Sequence, residues 1–296
     1  MKIGIALGSG AARGLAHIGL LKAFEDRKIK PYAITGSSMG ALIGGIYASG
    51  YPIEKIAEFY LTLDFSIFKK FVDFKISSAG LLGGERIEEF IASIIGNKSF
   101  EDLEIKFKCV ATDLLTGLEI IFDKGDLVKA IRASISFPAV FVPVYYDKMF
   151  LVDGGIKNPV PVDILPDECD IKFAVHVGPS VIKDPLVKKY YAENSIKIEK
   201  DQNSITEKFY SFISSYLKNV IIDDSVKYPN MLETIIQTIS ILQENAYISK
   251  IKEVKGSIVE IKPELSNYKL TDFTKAKEII NIGYAEGIKI IKEYLS

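Results

Sequence analysis

Five consecutive residues, Gly36-Ser37-Ser38-Met39-Gly40, have the Gly-x-Ser-x-Gly spacing that can expose a serine at a sharp turn. A serine hydroxyl is a weak nucleophile unless it is held exposed and set against a base. Gly36 and Gly40 let the backbone turn without a side-chain clash. Ser37 and Met39 complete the elbow, and a following helix would aim its N-terminal amides at developing negative charge. The motif alone is short and common. Its position between an apolar strand and a small-residue helix makes Ser38 the candidate nucleophile of an acyl transfer.

A tetrahedral acyl intermediate carries an oxyanion, which needs backbone N–H donors prearranged about 2.7–3.1 Å away. The loop Gly8-Ser9-Gly10-Ala11-Ala12-Arg13-Gly14 offers them. Its glycines permit close backbone approach, Arg13 adds positive charge, and the next helix brings the positive end of its dipole. The same residues resemble a degraded dinucleotide loop, but the final glycine of that spacing is missing. No Gly-Lys-Ser/Thr phosphate loop occurs in the chain.

The residues alone leave the base open. The chain has two histidines, His17 and His176. His17 falls on the first helix and reads as structural. His176 follows a strand, and the order Ser38, Asp153, His176 matches an α/β-hydrolase triad. Against it stands Asp153-Gly154-Gly155, an acid followed by two glycines directly after an apparent strand. If Asp153 reaches Ser38, it can accept the hydroxyl proton without an imidazole.

These groups must be carried by strands and helices in alternation. Residues 2–7 read as a buried strand, the glycine loop follows, and a periodic helix runs to about Asp26. Residues 32–35 read as a second strand, entering the elbow and a helix over 41–48. Helices are expected over 53–61, 85–95, 126–134, 230–250 and 274–293, and strands over 105–111, 118–122, 144–152 and 172–177. This alternation predicts a three-layer α/β/α fold with a largely parallel central sheet and functional groups beyond the strand ends. One catalytic domain over residues 1–296 is expected, with an inserted cap at 184–226, where the character changes to mixed charge with an aromatic stripe.

Composition narrows the partners. With 37 Lys and Arg against 38 Asp and Glu, the net charge of −1 gives no excess of positive charge for nucleic acid. The two cysteines, Cys109 and Cys169, read as free thiols rather than a secreted disulfide framework. The apolar start is too short for a signal peptide and no stretch has the length of a membrane span. The expected location is the cytoplasm, with peripheral contact at the inner membrane face.

In combination and in this order, Gly8 to Gly14, Gly36 to Gly40 and Asp153-Gly154-Gly155 resemble the patatin-like phospholipase family. The run Ala130-Ile131-Arg132-Ala133-Ser134-Ile135-Ser136-Phe137-Pro138-Ala139-Val140-Phe141 looks like its bacterial members, and Leu270-Thr271-Asp272-Phe273 with Ile282-Gly283-Tyr284 looks like the usual ending. The resemblance implies a patatin-like fold and hydrolysis of fatty-acyl esters of phospholipids or related lipids by a Ser38–Asp153 dyad through an acyl-enzyme. It implies no metal and no cofactor, and it makes His176 structural. Backbone donors are expected at Gly10 and Ala11, with Arg13 at the family's basic position. Ser9 and Ala11 depart from the family's triple glycine, and a positive φ at Ala11 would cost about 1 kcal/mol relative to glycine.

A lipid substrate also needs an interfacial element. Residues 65–75 interleave aromatics with lysines, and Phe209, Phe212, Ile213, Tyr216 and Leu217 share a helical face within the expected cap.

Overall fold

The structure is a computed structural model that describes residues 1–62, 74–77, 80–178, 230–254 and 256–295. The expected cap at 184–226, with its aromatic stripe, lies outside the described residues, as does the 65–75 segment apart from its last two positions.

The main sheet has eight strands. In chain order they are β1 (Ile3–Leu7), β2 (Ala33–Ser37), β5 (Lys106–Asp113), β6 (Glu119–Phe122), β7 (Val144–Tyr146), β8 (Met149–Asp153), β9 (Ile171–Val175) and β10 (Ile258–Ile261). A separate antiparallel pair, β3 (Phe74–Ser77) and β4 (Gly80–Leu82), begins at the last two positions of the 65–75 segment and runs beyond it. The order across the sheet is β10-β9-β1-β2-β5-β8-β7, with β6 also on β5. The five strands from β10 to β5 are parallel, and β6, β7 and β8 are antiparallel additions.

Side-chain alternation gives the sheet two different faces. Ile3, Ile5, Leu7, Ile34, Phe173 and Val175 project into one large core, shared with α1 (Ala16–Asp26), α2 (Met39–Ala48), α3 (Ile53–Thr62), α4 (Glu85–Ile95), α5 (Leu127–Ser134) and α7 (Ala276–Tyr294). Ala6, Ala33 and Ala174 face the other way, against Val160, Val162, Leu165 and Tyr247, the last on α6 (Met231–Glu253). The small residues let this second layer approach closely. Helices therefore flank a mostly parallel sheet, as the strand and helix alternation predicts.

Packing of α1 on α7 depends on two glycines. A Cβ at Gly19 would fall 1.9 Å from the Ile280 carbonyl oxygen, and one at Gly283 would fall 1.9 Å from that of Ala16. The helix axes are thus held closer than any side chain permits. Gly283 lies in the ending that carries the family resemblance, and this contact is its physical reason.

Two expectations need correction. The strand expected over 144–152 is a hairpin, because Asp147 and Lys148 both take left-handed torsions (φ 46° and 65°) and form the two-residue turn between β7 and β8. The strand β10 was not expected from the sequence. It is a four-residue edge strand, too short for its alternation to stand out.

Candidate active site

Strand β5 brings the two halves of the site together. Its Val110 pairs with Ser37, the last residue of β2, and its next residue, Ala111, pairs with Asp153, the last residue of β8. Since β6 occupies the opposite edge of β5 through this region, β2 and β8 follow one another along the same edge. The residue leaving β2 thereby meets the residue ending β8. Ser38 Oγ donates to Asp153 Oδ2 at 2.5 Å, although the two are 115 positions apart in the chain.

The elbow's unusual torsion falls on Ser38 itself, with φ 54° and ψ −121°. The flanking glycines serve close approach instead. A Cβ at Gly36 would fall 2.6 Å from Ala41 N, and one at Gly40 would fall 2.0 Å from the Leu7 carbonyl oxygen. Met39, the first residue of α2, packs on the glycine loop, where a Cβ at Gly14 would lie 2.4 Å from its Cγ. The Ser38 N–H donates to the Ser134 hydroxyl oxygen at 3.0 Å. Ser37 is fully buried.

Asp153 is fully buried. Its second carboxylate oxygen accepts the Gly155 N–H at 2.8 Å, and its own N–H donates to the Ser136 carbonyl at 2.9 Å. Burial pushes its carboxyl up to about 6, against the Ser38 and Gly155 hydrogen bonds that pull it down. A Cβ at Gly154 would collide with the Val110 carbonyl oxygen at 2.1 Å, and one at Gly155 would meet Gln243 and Ser9. Behind this turn, Asn158 Nδ2 donates to Glu119 at 2.8 Å and to Asp163 at 2.7 Å, and Lys250 of α6 donates to the same two carboxylates at 2.7 and 2.6 Å.

In the glycine loop, the N–H groups of Gly8, Ser9, Ala12 and Arg13 donate to Val175, Pro159, Leu270 and Gly10 carbonyls respectively. Those of Gly10 and Ala11 have no acceptor among the described residues. Ala11 does take a left-handed torsion, φ 45°, so the expected cost relative to glycine applies. Arg13 is buried and its Nε donates to the Tyr268 carbonyl at 2.7 Å, tying the loop to the segment before α7. Ser9 is buried beside Gly155, its hydroxyl without a hydrogen bond among the described residues.

Neither histidine bonds the Ser38 and Asp153 pair. His17 is fully buried and its Nε2 lies 2.8 Å from the Gly8 carbonyl oxygen, which accepts its proton. Burial lowers its pKa to about 4 despite that bond, so the ring is neutral at pH 7. His176 packs its ring on Tyr247 with centroids 4.3 Å apart, and burial, helped by Lys262 and Arg13, lowers it to about 4 as well.

Sequence reasoning did not single out Ser134, Gln243 or the Asn158, Glu119, Asp163 and Lys250 cluster. Their residue types are ordinary and their partners distant in the chain; only Ser134 lay in a stretch already noted for its resemblance. Among the described residues, no group of three or more His, Cys, Asp or Glu side chains is arranged to hold a metal ion, and no helix is long and apolar enough to cross a membrane.

The family model for patatin-like phospholipase matches residues 5–166, more than half of the chain. The chain belongs to the patatin-like phospholipase family. The match takes in the glycine loop, the elbow and Asp153, and this family member's α6, β10 and α7 lie beyond it. An uncharacterised NTE family protein of Mycobacterium tuberculosis H37Rv is 40% identical over 180 residues, covering 60% of this chain and 50% of that protein. Lysophospholipase NTE1 of Kluyveromyces lactis is 28% identical over 289 residues, covering 96% of this chain and 19% of that protein. The chain thus spans about half the length of the mycobacterial relative and under a fifth of the yeast one. The crystal structure of VipD from Legionella pneumophila aligns over 99% of this chain and 67% of that one, at 15% identity and a TM-score of 0.48.

Proposed function

We propose that this protein is a serine acyl hydrolase that cleaves fatty-acyl esters of phospholipids or lysophospholipids, with Ser38 as nucleophile and Asp153 as base. The observation that carries the reading is the 2.5 Å hydrogen bond from Ser38 Oγ to Asp153, made at a strand-to-helix elbow. In this reading Asp153 takes the hydroxyl proton as Ser38 Oγ attacks the ester carbonyl. The Gly10 and Ala11 amides receive the oxyanion, and the alcohol or lysophospholipid leaves with the proton from Asp153. A water activated by Asp153 then attacks the acyl-enzyme, and the fatty acid departs as Ser38 regains its proton.

The raised carboxyl of Asp153 supports a base whose pKa lies near the working pH. Arg13, buried and bonded through Nε to the Tyr268 carbonyl, supports the loop's shape. The names of the relatives, phospholipase and lysophospholipase, support a lipid ester as substrate. We read residues 1–296 as one catalytic domain with a cap at 184–226, acting in the cytoplasm with peripheral contact at the inner membrane face.

Fatty-acid release from a lysophospholipid and from a diacyl phospholipid, measured side by side, tests the proposal. Wild type is expected to release fatty acid from at least one. Ser38→Ala is expected to fall to background, and His176→Ala to keep most of the activity. Turnover undiminished in a folded Ser38→Ala variant would overturn the reading, and loss of activity in a folded His176→Ala variant would restore the triad.

A further inference from the structure

The amide of Ser38 is in an unusual position. Pairing of β2 with β5 stops at Ser37, and the next place along β5 belongs to Asp153. The Ser38 N–H therefore leaves the ladder at a partly buried point, where an N–H without an acceptor is costly. Its acceptor is the hydroxyl of Ser134, the fully buried last residue of α5, which is 96 positions away. Two residues later the Ser136 carbonyl accepts the N–H of Asp153 at 2.9 Å. The buried Arg132 fixes this turn in its place, donating from Nη1 to Ser136 Oγ at 2.6 Å and from Nη2 to the Gly83 carbonyl at 3.0 Å. The last residue of α5 and the turn just after it thus hold the backbone of Ser38 and Asp153 respectively.

We infer that Ser134 is a positioning residue for acyl transfer, its hydroxyl oxygen holding the Ser38 N–H and thereby the left-handed torsion that aims Ser38 Oγ at Asp153. It touches neither substrate nor the reacting atoms. The inference rests on the reading of Ser38 as nucleophile and adds a residue to it. A non-glycine residue at φ 54° and ψ −121° persists only where its surroundings hold it, and the side-chain bond to its amide comes from Ser134.

The test compares wild type with Ser134→Ala and Ser134→Thr, reading the rate of covalent labelling by a fluorophosphonate together with kcat and KM. Ser134→Ala, folded by circular dichroism, is expected to lose about 10- to 100-fold in labelling rate and kcat with KM little changed. The pH of its half-maximal rate should move up, because a misaimed Ser38 Oγ no longer helps to hold the Asp153 carboxyl down. Ser134→Thr, which keeps a hydroxyl, is expected to recover most of the loss. Should Ser134→Ala fail to fold, Ser134→Cys, similar in volume but a poor acceptor, carries the same expectation. A folded Ser134→Ala or Ser134→Cys that labels at the wild-type rate overturns the inference alone. A wild type that turns over ester without labelling at Ser38 overturns the nucleophile reading, and the inference with it.

Discussion

In the proposed mechanism Asp153 must act as a base in a place where burial opposes its ionisation. With its carboxyl raised to about 6, kcat/KM is expected to climb with pH along a limb centred there, as the free enzyme's carboxylate forms. Stability should move the opposite way. A folded-state pKa above the unfolded value means that the group's contribution is complete below about pH 4 and lost as pH rises through about 6. The ionised side chain then costs up to about 3 kcal/mol at pH 8. Asp153→Asn removes that cost and can still accept the Gly155 N–H. It is expected to be inactive yet to melt above wild type at pH 8, with the gap closing toward pH 4, and calorimetry at the two pH values checks this. A variant less stable than wild type at pH 8 would count against a strained, buried carboxylate. At this scale the sequence was most informative, since a serine between glycines and an acid before two glycines are visible as residue types. The left-handed torsions at Ser38, Asp147 and Lys148 were not visible, because none of these residues is a glycine to announce them.

Between elements, the site is a consequence of register. Ser38 and Asp153 meet because β2 and β8 share one edge of β5, a fact set by pairing and not by local sequence. Alternation and apolar runs placed most of the described helices and parallel strands near their observed positions. They could not show which strand lies beside which, nor that α6 would cover the Asp153 turn with Gln243 and Lys250. The α1 and α7 contact behaves similarly. Gly283→Ala would push a methyl group into the Ala16 carbonyl, so the helices must part, at a cost of about 3 kcal/mol. A Tm several degrees lower, with kcat of the folded protein retained, is the expected outcome of thermal melts run alongside activity assays. An unchanged Tm would mean that the helices are not held at this spacing.

Across the whole molecule, the two faces of one sheet are packed differently. Large side chains and six helices build the main core on one face, while alanines admit the 159–165 segment and α6 on the other. Ser38 and Asp153 stand at the strand ends where these layers converge, the usual place for function in an open α/β sheet. Family membership was legible from three short motifs in order, whereas lipid preference depends on a pocket that those motifs do not encode. The claim on which everything else rests is that Ser38 forms the acyl-enzyme with help from Asp153. Intact-mass and peptide mass spectrometry after fluorophosphonate treatment tests it most directly. A single adduct on the Ser38 peptide is expected in wild type, with labelling slowed in Asp153→Asn and absent in Ser38→Ala. An active wild type that carries its adduct on another residue, or Asp153→Asn labelled as fast as wild type, would contradict it.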